Sequence, residues 1–130
     1  MARLHVLAVS ARLPAWAETA CAEYAKRMPR GYEVSRVSVK HAEKLPRGKI
    51  VVLDEKGRDF TTIQFAALLK SETVFVIGGA DGLDEAVKKK ADLLLRLSSL
   101  TLPHALAQVV LLEQLYRAAT LLVGHPYHRE

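Results

Sequence analysis

The sequence predicts an α/β fold: a mostly parallel sheet of about five strands covered by helices. Two observations carry this. Strand-length apolar segments and helix-length amphipathic segments alternate almost throughout the 130 residues. Two of the strand segments, "IVVL" at 50–53 and "TVFVI" at 73–77, are unbroken apolar runs. Strands of that kind are buried on both faces, as in a parallel sheet enclosed by helices. In such sheets ligands bind outside the carboxyl ends of the strands.

The elements follow in order. Leu4 to Val9 is rich in β formers and reads as the first strand. Pro14 suits the first turn of a helix, and Trp16, Ala17, Ala20, Cys21, Tyr24 and Met28 then recur at spacings of three and four. Pro29 and Gly31 stop that helix. Tyr32 to Val39 is the second strand, with Arg36 breaking its alternation, and His41 to Gly48 is a polar loop around Pro46. Ile50 to Leu53 is the third strand, closed by a turn "DEKG". Thr62 is expected to cap a helix carrying Phe65, Leu68 and Leu69. The fourth strand, Thr73 to Ile77, runs into "GGADGL", and Asp84 caps a short helix ending in Lys88 to Lys90. Leu93 to Leu97 is the fifth strand. Pro103 opens a long helix from His104 to about Val123.

Half the residues are hydrophobic and a quarter are charged, the composition of one ordinary globular domain spanning 1–130. Repeats and low-complexity tracts are absent. The opening "MARLHVLAVSARLP" lacks the pattern of a secretory signal, and the uncharged stretch Leu97 to Leu112 is interrupted by Pro103 and polar residues, so no membrane span is expected. The one cysteine, Cys21, excludes an internal disulfide framework and fits a reducing cytoplasm. Its helical neighbours are apolar, so a buried thiol is expected and not a nucleophile.

The net charge of +5 is unevenly placed. Lys26 to Arg58 holds ten of the 19 basic residues against four of the 14 acidic ones, a net +6, which leaves −1 for the remainder. A basic segment beside a near-neutral body suggests a polyanionic partner, most simply nucleic acid, with a solvated basic face as the equal alternative. Only Tyr32 and Phe60 flank the segment, too few aromatics for a base-stacking platform.

Three segments leave the expected carboxyl ends: "LDEKG", "IGGADGL" and "LSSLTLPH". The glycines show a tight turn or close approach of a ligand, but the pattern is neither a dinucleotide fingerprint nor a P-loop. Ser98, Ser99 and Thr101 put hydroxyls in an apolar stretch before a helix start, where main-chain groups need partners other than helix bonds. On the last helix Glu113 and Arg117 are spaced i, i+4, the order of a helical salt bridge. Its apolar stripe of Leu106, Val109, Val110, Leu112, Tyr116, Ala119, Leu122 and Val123 covers more than one face, which suggests a homodimer contact. The final residues, "GHPYHRE", place His125 and His128 three apart, but Pro126 breaks the helix and no further ligands accompany them, so no metal site is expected. A solvated tail is the ordinary alternative.

Together, "VVLDEKG", "VFVIGGADGL", "LSSLTLPHALAQVVLLEQLYRA" and "HPYHRE" strongly resemble the bacterial large-subunit ribosomal RNA methyltransferase H family of the SPOUT superfamily. The opening "LHVLAVSARLPAW" resembles it as well, so the likeness spans nearly the whole chain in order. The resemblance implies a C-terminal trefoil knot, a topology that pattern arguments cannot find. It implies S-adenosylmethionine as cofactor, held by Leu53, Gly78, Gly79 and the run Ser98, Ser99, Leu100, Thr101, Leu102 and Pro103. It implies a homodimer that methylates N3 of a pseudouridine in helix 69 of 23S rRNA within the assembled 70S ribosome. Tyr127, His128 and Arg129 become substrate-side candidates: His128 as a base largely neutral at pH 7, Arg129 for a phosphate or developing oxyanion. The rival expectations are a non-catalytic RNA-associated module and a SPOUT enzyme acting on transfer RNA. Two features depart from many family members: the segment His41 to Lys49 is short, and Gly124 stands in place of Asn.

Overall fold

A computed structural model describes residues 3–42 and 44–127. The strands are β1 (Leu4–Val9), β2 (Val34–Val39), β3 (Lys49–Asp59), β4 (Thr73–Gly78) and β5 (Leu93–Arg96). The helices are α1 (Ala15–Lys26), α2 (Thr62–Leu68), α3 (Glu85–Lys89) and α4 (His104–Val123). The strands form one sheet in the order β2-β1-β4-β3-β5, and every pairing is parallel. β4, the apolar run "TVFVI", lies at the centre with five of its six residues buried. That is the position its sequence pattern demands, because a central parallel strand meets side chains on both faces.

Alternate residues of each strand serve opposite faces. Leu4, Val6 and Ala8 of β1 join Val51, Phe75, Ile77 and Leu95 in the larger core, where α1, α2 and α4 supply Cys21, Phe65, Leu69, Leu111, Leu112 and Leu115. Leu7 and Val9 join Ile50, Val52, Val74 and Val76 in the smaller core. Three helices thus cover one face. Among the described residues, the other is covered by α3 and its flanks, through Leu83, Val87 and Ala91, and by Ala42 and Leu45 after β2. The helical covering expected on both faces is therefore lopsided. Cys21 is fully buried, and burial raises its thiol pKa.

Local chemistry sets the boundaries. Thr61, one residue before the expected Thr62, is the cap of α2: its hydroxyl accepts from Gln64 N–H while the Gln64 side chain accepts from Thr61 N–H. Asp84 caps α3 by accepting from Val87 N–H. Gly124 ends α4 at φ 76°, the left-handed conformation of a helix C-cap. By length and mean hydropathy, 1.3, α4 is apolar enough to cross a membrane. Its Leu111, Leu112, Leu115, Ala118 and Ala119 are instead wholly buried in the larger core.

"DEKG" does not end β3. Leu95 is the register partner of both Leu53 and Arg58, so residues 54–57 make an excursion between two parallel pairings with β5. Gly57 allows it. A Cβ there would lie 2.7 Å from backbone atoms of Leu94 and Leu95, so only a residue without a side chain can cross β5 this closely.

Candidate functional site

The carboxyl ends of β3, β4 and β5 open into a cleft of about 890 Å³. Leu53, Gly78, Gly79 and the run Ser98 to Pro103 all line it. The nine residues singled out from three separate stretches of sequence therefore come together in space. Gly79 is seated by its N–H, which donates to Val9 O at 3.1 Å, and any Cβ on it would collide with the Ser10 carbonyl oxygen. Ser10 itself has φ 53°, a left-handed conformation uncommon for a non-glycine residue, and its hydroxyl donates to Lys40 O. Gly82 N–H returns to Gly79 O at 3.0 Å and closes the glycine turn. Ser98 Oγ accepts from Leu100 N–H at 2.9 Å, which fixes the start of the third loop and leaves Leu100 76% exposed at the mouth.

Charged residues that sequence reasoning did not single out also face the cleft: Asp54, Lys88 and Arg96, with His104 at the first turn of α4. Asp54 is 7% exposed, accepts from Lys56 N–H at 2.8 Å and pairs with Lys88 Nζ at 3.0 Å. The Lys56 N–H, followed by the Lys88 ammonium, holds its carboxyl below the usual range against the opposing effect of burial, and Asp54 in turn raises the Lys88 pKa. Arg96 is gripped in a bidentate pair by Asp59, with both contacts 2.6 Å. Asp54 was legible as the residue after Leu53 at a strand end. Lys88 had no signal beyond a helix-terminal lysine.

Tyr127 sits elsewhere. Tyr127 folds back on α4, where its hydroxyl donates to Glu113 Oε2 at 2.9 Å. Arg117 donates to the same oxygen through Nη2 at 2.7 Å and lies over the Tyr127 ring, 5.1 Å from its centroid. Tyr116 meets Tyr127 edge-on at 4.6 Å, and Tyr24, in the last turns of α1, stacks against Tyr116 at 6.0 Å. Burial and the Glu113 carboxylate push the Tyr127 pKa up to about 12. Ala107, the last residue of α4 at the cleft, and Glu113 are six residues apart, which at 1.5 Å per residue separates cleft and cluster by about 9 Å along the helix. Among the described residues, none beyond Ala107 lines the cleft. The chain therefore does not bring Tyr127 to its own cleft, contrary to the expectation of a tail aimed there. His128 and Arg129 lie outside the described residues.

The basic segment is also divided. Arg27 pairs with Glu23 at the end of α1, and Arg36 makes a bidentate pair with Glu18. Lys26, Arg27 and Lys49 stand at the amino end of the sheet, whereas Lys40 follows the carboxyl end of β2 and Lys56, within β3, lines the cleft.

Solved structures share this architecture. A candidate RNA methyltransferase from Bacillus anthracis superposes with a TM-score of 0.64 over 98% of both chains at 16% identity. The SpoU methyltransferase AviRb from Streptomyces viridochromogenes, solved in complex with the cofactor AdoMet, gives 0.56 over 93% of this chain and 58% of its own at 15% identity. Residues 2–128 match the family model described as predicted SPOUT methyltransferase. Curated relatives named ribosomal RNA large subunit methyltransferase H are 44% identical in Paraburkholderia xenovorans and 46% in Dechloromonas aromatica, each alignment covering 98% of this chain and 99% of the relative. On that match, which spans nearly the whole chain and so takes in the glycine turn and the "LSSLTLP" loop, the protein belongs to the ribosomal RNA large subunit methyltransferase H family of SPOUT methyltransferases.

Proposed function

We propose that this protein methylates 23S rRNA with S-adenosylmethionine, at N3 of a pseudouridine in helix 69 of the assembled ribosome, and so acts in the cytoplasm. The observation that carries the reading is the convergence of three strand-end loops on one cleft in a chain of this family. The cleft suits the cofactor in size, within the roughly 300–1,000 Å³ of small-molecule sites. Leu53, Leu100 and Leu102 offer apolar contact, Gly78 and Gly79 let a ligand approach the backbone, and the 98–103 loop presents main-chain groups. When bound, the cofactor supplies an electrophilic methyl group on a sulfonium. The chain's part is to bind, orient and shed water, and near-attack placement of two reactants is worth roughly 7–11 kcal/mol of a barrier.

A homodimer completes this reading. The outer side of α4 carries Leu106, 38% exposed, with half-buried Val109, Val110 and Leu121, and Val123, 49% exposed, stands at its end. Two copies packed through this stripe about a twofold axis perpendicular to α4 would run their α4 helices antiparallel. The tail of one copy, with Tyr127, His128 and Arg129, would then lie at the cleft end of the other. The trefoil knot belongs to the same proposal, and the passage of Gly57 across the β5 backbone supports it.

The test offers labelled S-adenosylmethionine to assembled ribosomes, free rRNA and transfer RNA from a strain lacking the enzyme. Incorporation into ribosomes alone is the expected result. Incorporation into transfer RNA overturns the substrate, and none anywhere leaves a non-catalytic RNA-associated module.

A further inference from the structure

The cluster at the far end of α4 has a construction that the methyltransferase reading does not use. A half-buried carboxylate, Glu113, takes its two strongest partners on one oxygen: the Arg117 guanidinium at 2.7 Å and the Tyr127 hydroxyl at 2.9 Å. Its other oxygen accepts from the Gln114 amide at 2.7 Å. Arg117 closes the arrangement from above by lying on the Tyr127 ring, and Tyr116 closes it from the side. Side-chain exposures of 19% for Glu113 and 24% for Arg117 keep water from competing freely. A plain i, i+4 surface pair needs none of this. Tyr127 enters from beyond the helix stop at Gly124, where the backbone leaves the helix with His125 N–H donating back to Thr120 O at 2.9 Å and Tyr127 N–H donating to His125 Nδ1 at 3.2 Å, and its side chain turns back onto α4. Only three residues separate the left-handed cap at Gly124 from His128.

We propose that Glu113 is a positioning residue: it latches the Tyr127 hydroxyl, with Arg117 holding the carboxylate in place, and so sets where the substrate-side tail His128–Arg129 is presented. Tyr127 is thereby a strut of the tail and not a group that touches substrate. A hydroxyl already donated to a charge-assisted acceptor has no proton left for a substrate oxygen. The inference rests on the proposed methyltransferase reading for its readout. It differs from that reading in assigning the helix residue and the tail tyrosine one joint role.

The test is a double-mutant cycle with Glu113→Ala and Tyr127→Phe, read by single-turnover methylation of ribosomes and by calorimetry of S-adenosylmethionine binding. Each single variant is expected to lose about 10²-fold in rate, the scale of an ångström-sized misplacement, with cofactor affinity unchanged and dimer mass retained. The double variant is expected to be no slower than the slower single one, because both remove the same contact. Glu113→Gln, which keeps an acceptor oxygen for the tyrosine, is expected to restore most of the rate. Wild-type rates in either single variant overturn the latch, and so do multiplicative losses in the double variant, which would put Tyr127 directly on the substrate. Should Glu113→Ala not fold, Glu113→Gln and Tyr127→Phe decide: a fast Gln variant beside a slow Phe variant supports the latch, and any other pattern overturns it. A wild-type enzyme that methylates no RNA would instead overturn the methyltransferase reading itself.

Discussion

At its first turn α4 borders a cleft built from the backbone of three strand ends; farther along, it carries a cluster built from side chains. Glycines and main-chain turns shape the first, and Gly79 admits no Cβ. The second is an arrangement of Glu113, Arg117, Tyr116 and Tyr127 on one helix face and the segment after it. The first is lined by three strand ends and the start of α4. The second, about 9 Å farther along the helix, is not part of that lining. Backbone sites tolerate almost no substitution but depend on no partner, whereas side-chain sites can be tuned yet need something to face them.

That contrast can be broken in three places. The largest effect is expected from Gly79→Val. Its side chain meets the Ser10 carbonyl, so S-adenosylmethionine affinity should fall by at least about 100-fold, or about 2.8 kcal/mol, by calorimetry on a dimer that remains folded. Retained affinity would show that the glycine loop is only a turn. Next is Val110→Glu on the half-buried outer stripe of α4. Sedimentation should report a monomer that still binds cofactor but has lost about 10²-fold or more in methyl transfer. A monomer with full activity would mean that each chain serves its own cleft.

The smallest is Asp54→Asn, expected to cost about 1 kcal/mol of stability at neutral pH by loss of the Lys88 pair. Asp54 has a folded-state pKa below its ordinary 3.8. Its contribution is therefore present above that value and lost as the pH falls through the lower folded one, where the wild-type and variant melting midpoints should converge. A gap that persists unchanged into that acid range would remove the ionised carboxylate as its cause.

Most of the fold was legible because it follows from local pattern. The apolar runs at 50–53 and 73–77 became the paired inner strands β3 and β4, and the periodicity from His104 gave α4 at its full length. The strand order was not legible, since β4 inserting between β1 and β3 depends on long-range pairing that no local window records. Gly57 was read as a turn because a glycine marks either a turn or a close crossing, and only the neighbour, the backbone of Leu94 and Leu95, separates the two. At the site, the three loops were found by their glycines and hydroxyls at strand ends. Lys88 was missed because its role depends on the distant Asp54, and the Glu113–Tyr127 contact because it spans a helix stop.

The uneven covering of the sheet has a consequence for motion. The thin face rests on α3, five residues long, and on the loop carrying Ala42 and Leu45. Amide hydrogens there should exchange with solvent well before those of α4, since few buried apolar side chains resist local opening. Leu83 and Lys88, just before and within α3, also form one wall of the cleft. Local opening of α3 would therefore loosen that wall of the cleft while the three-helix core stays closed.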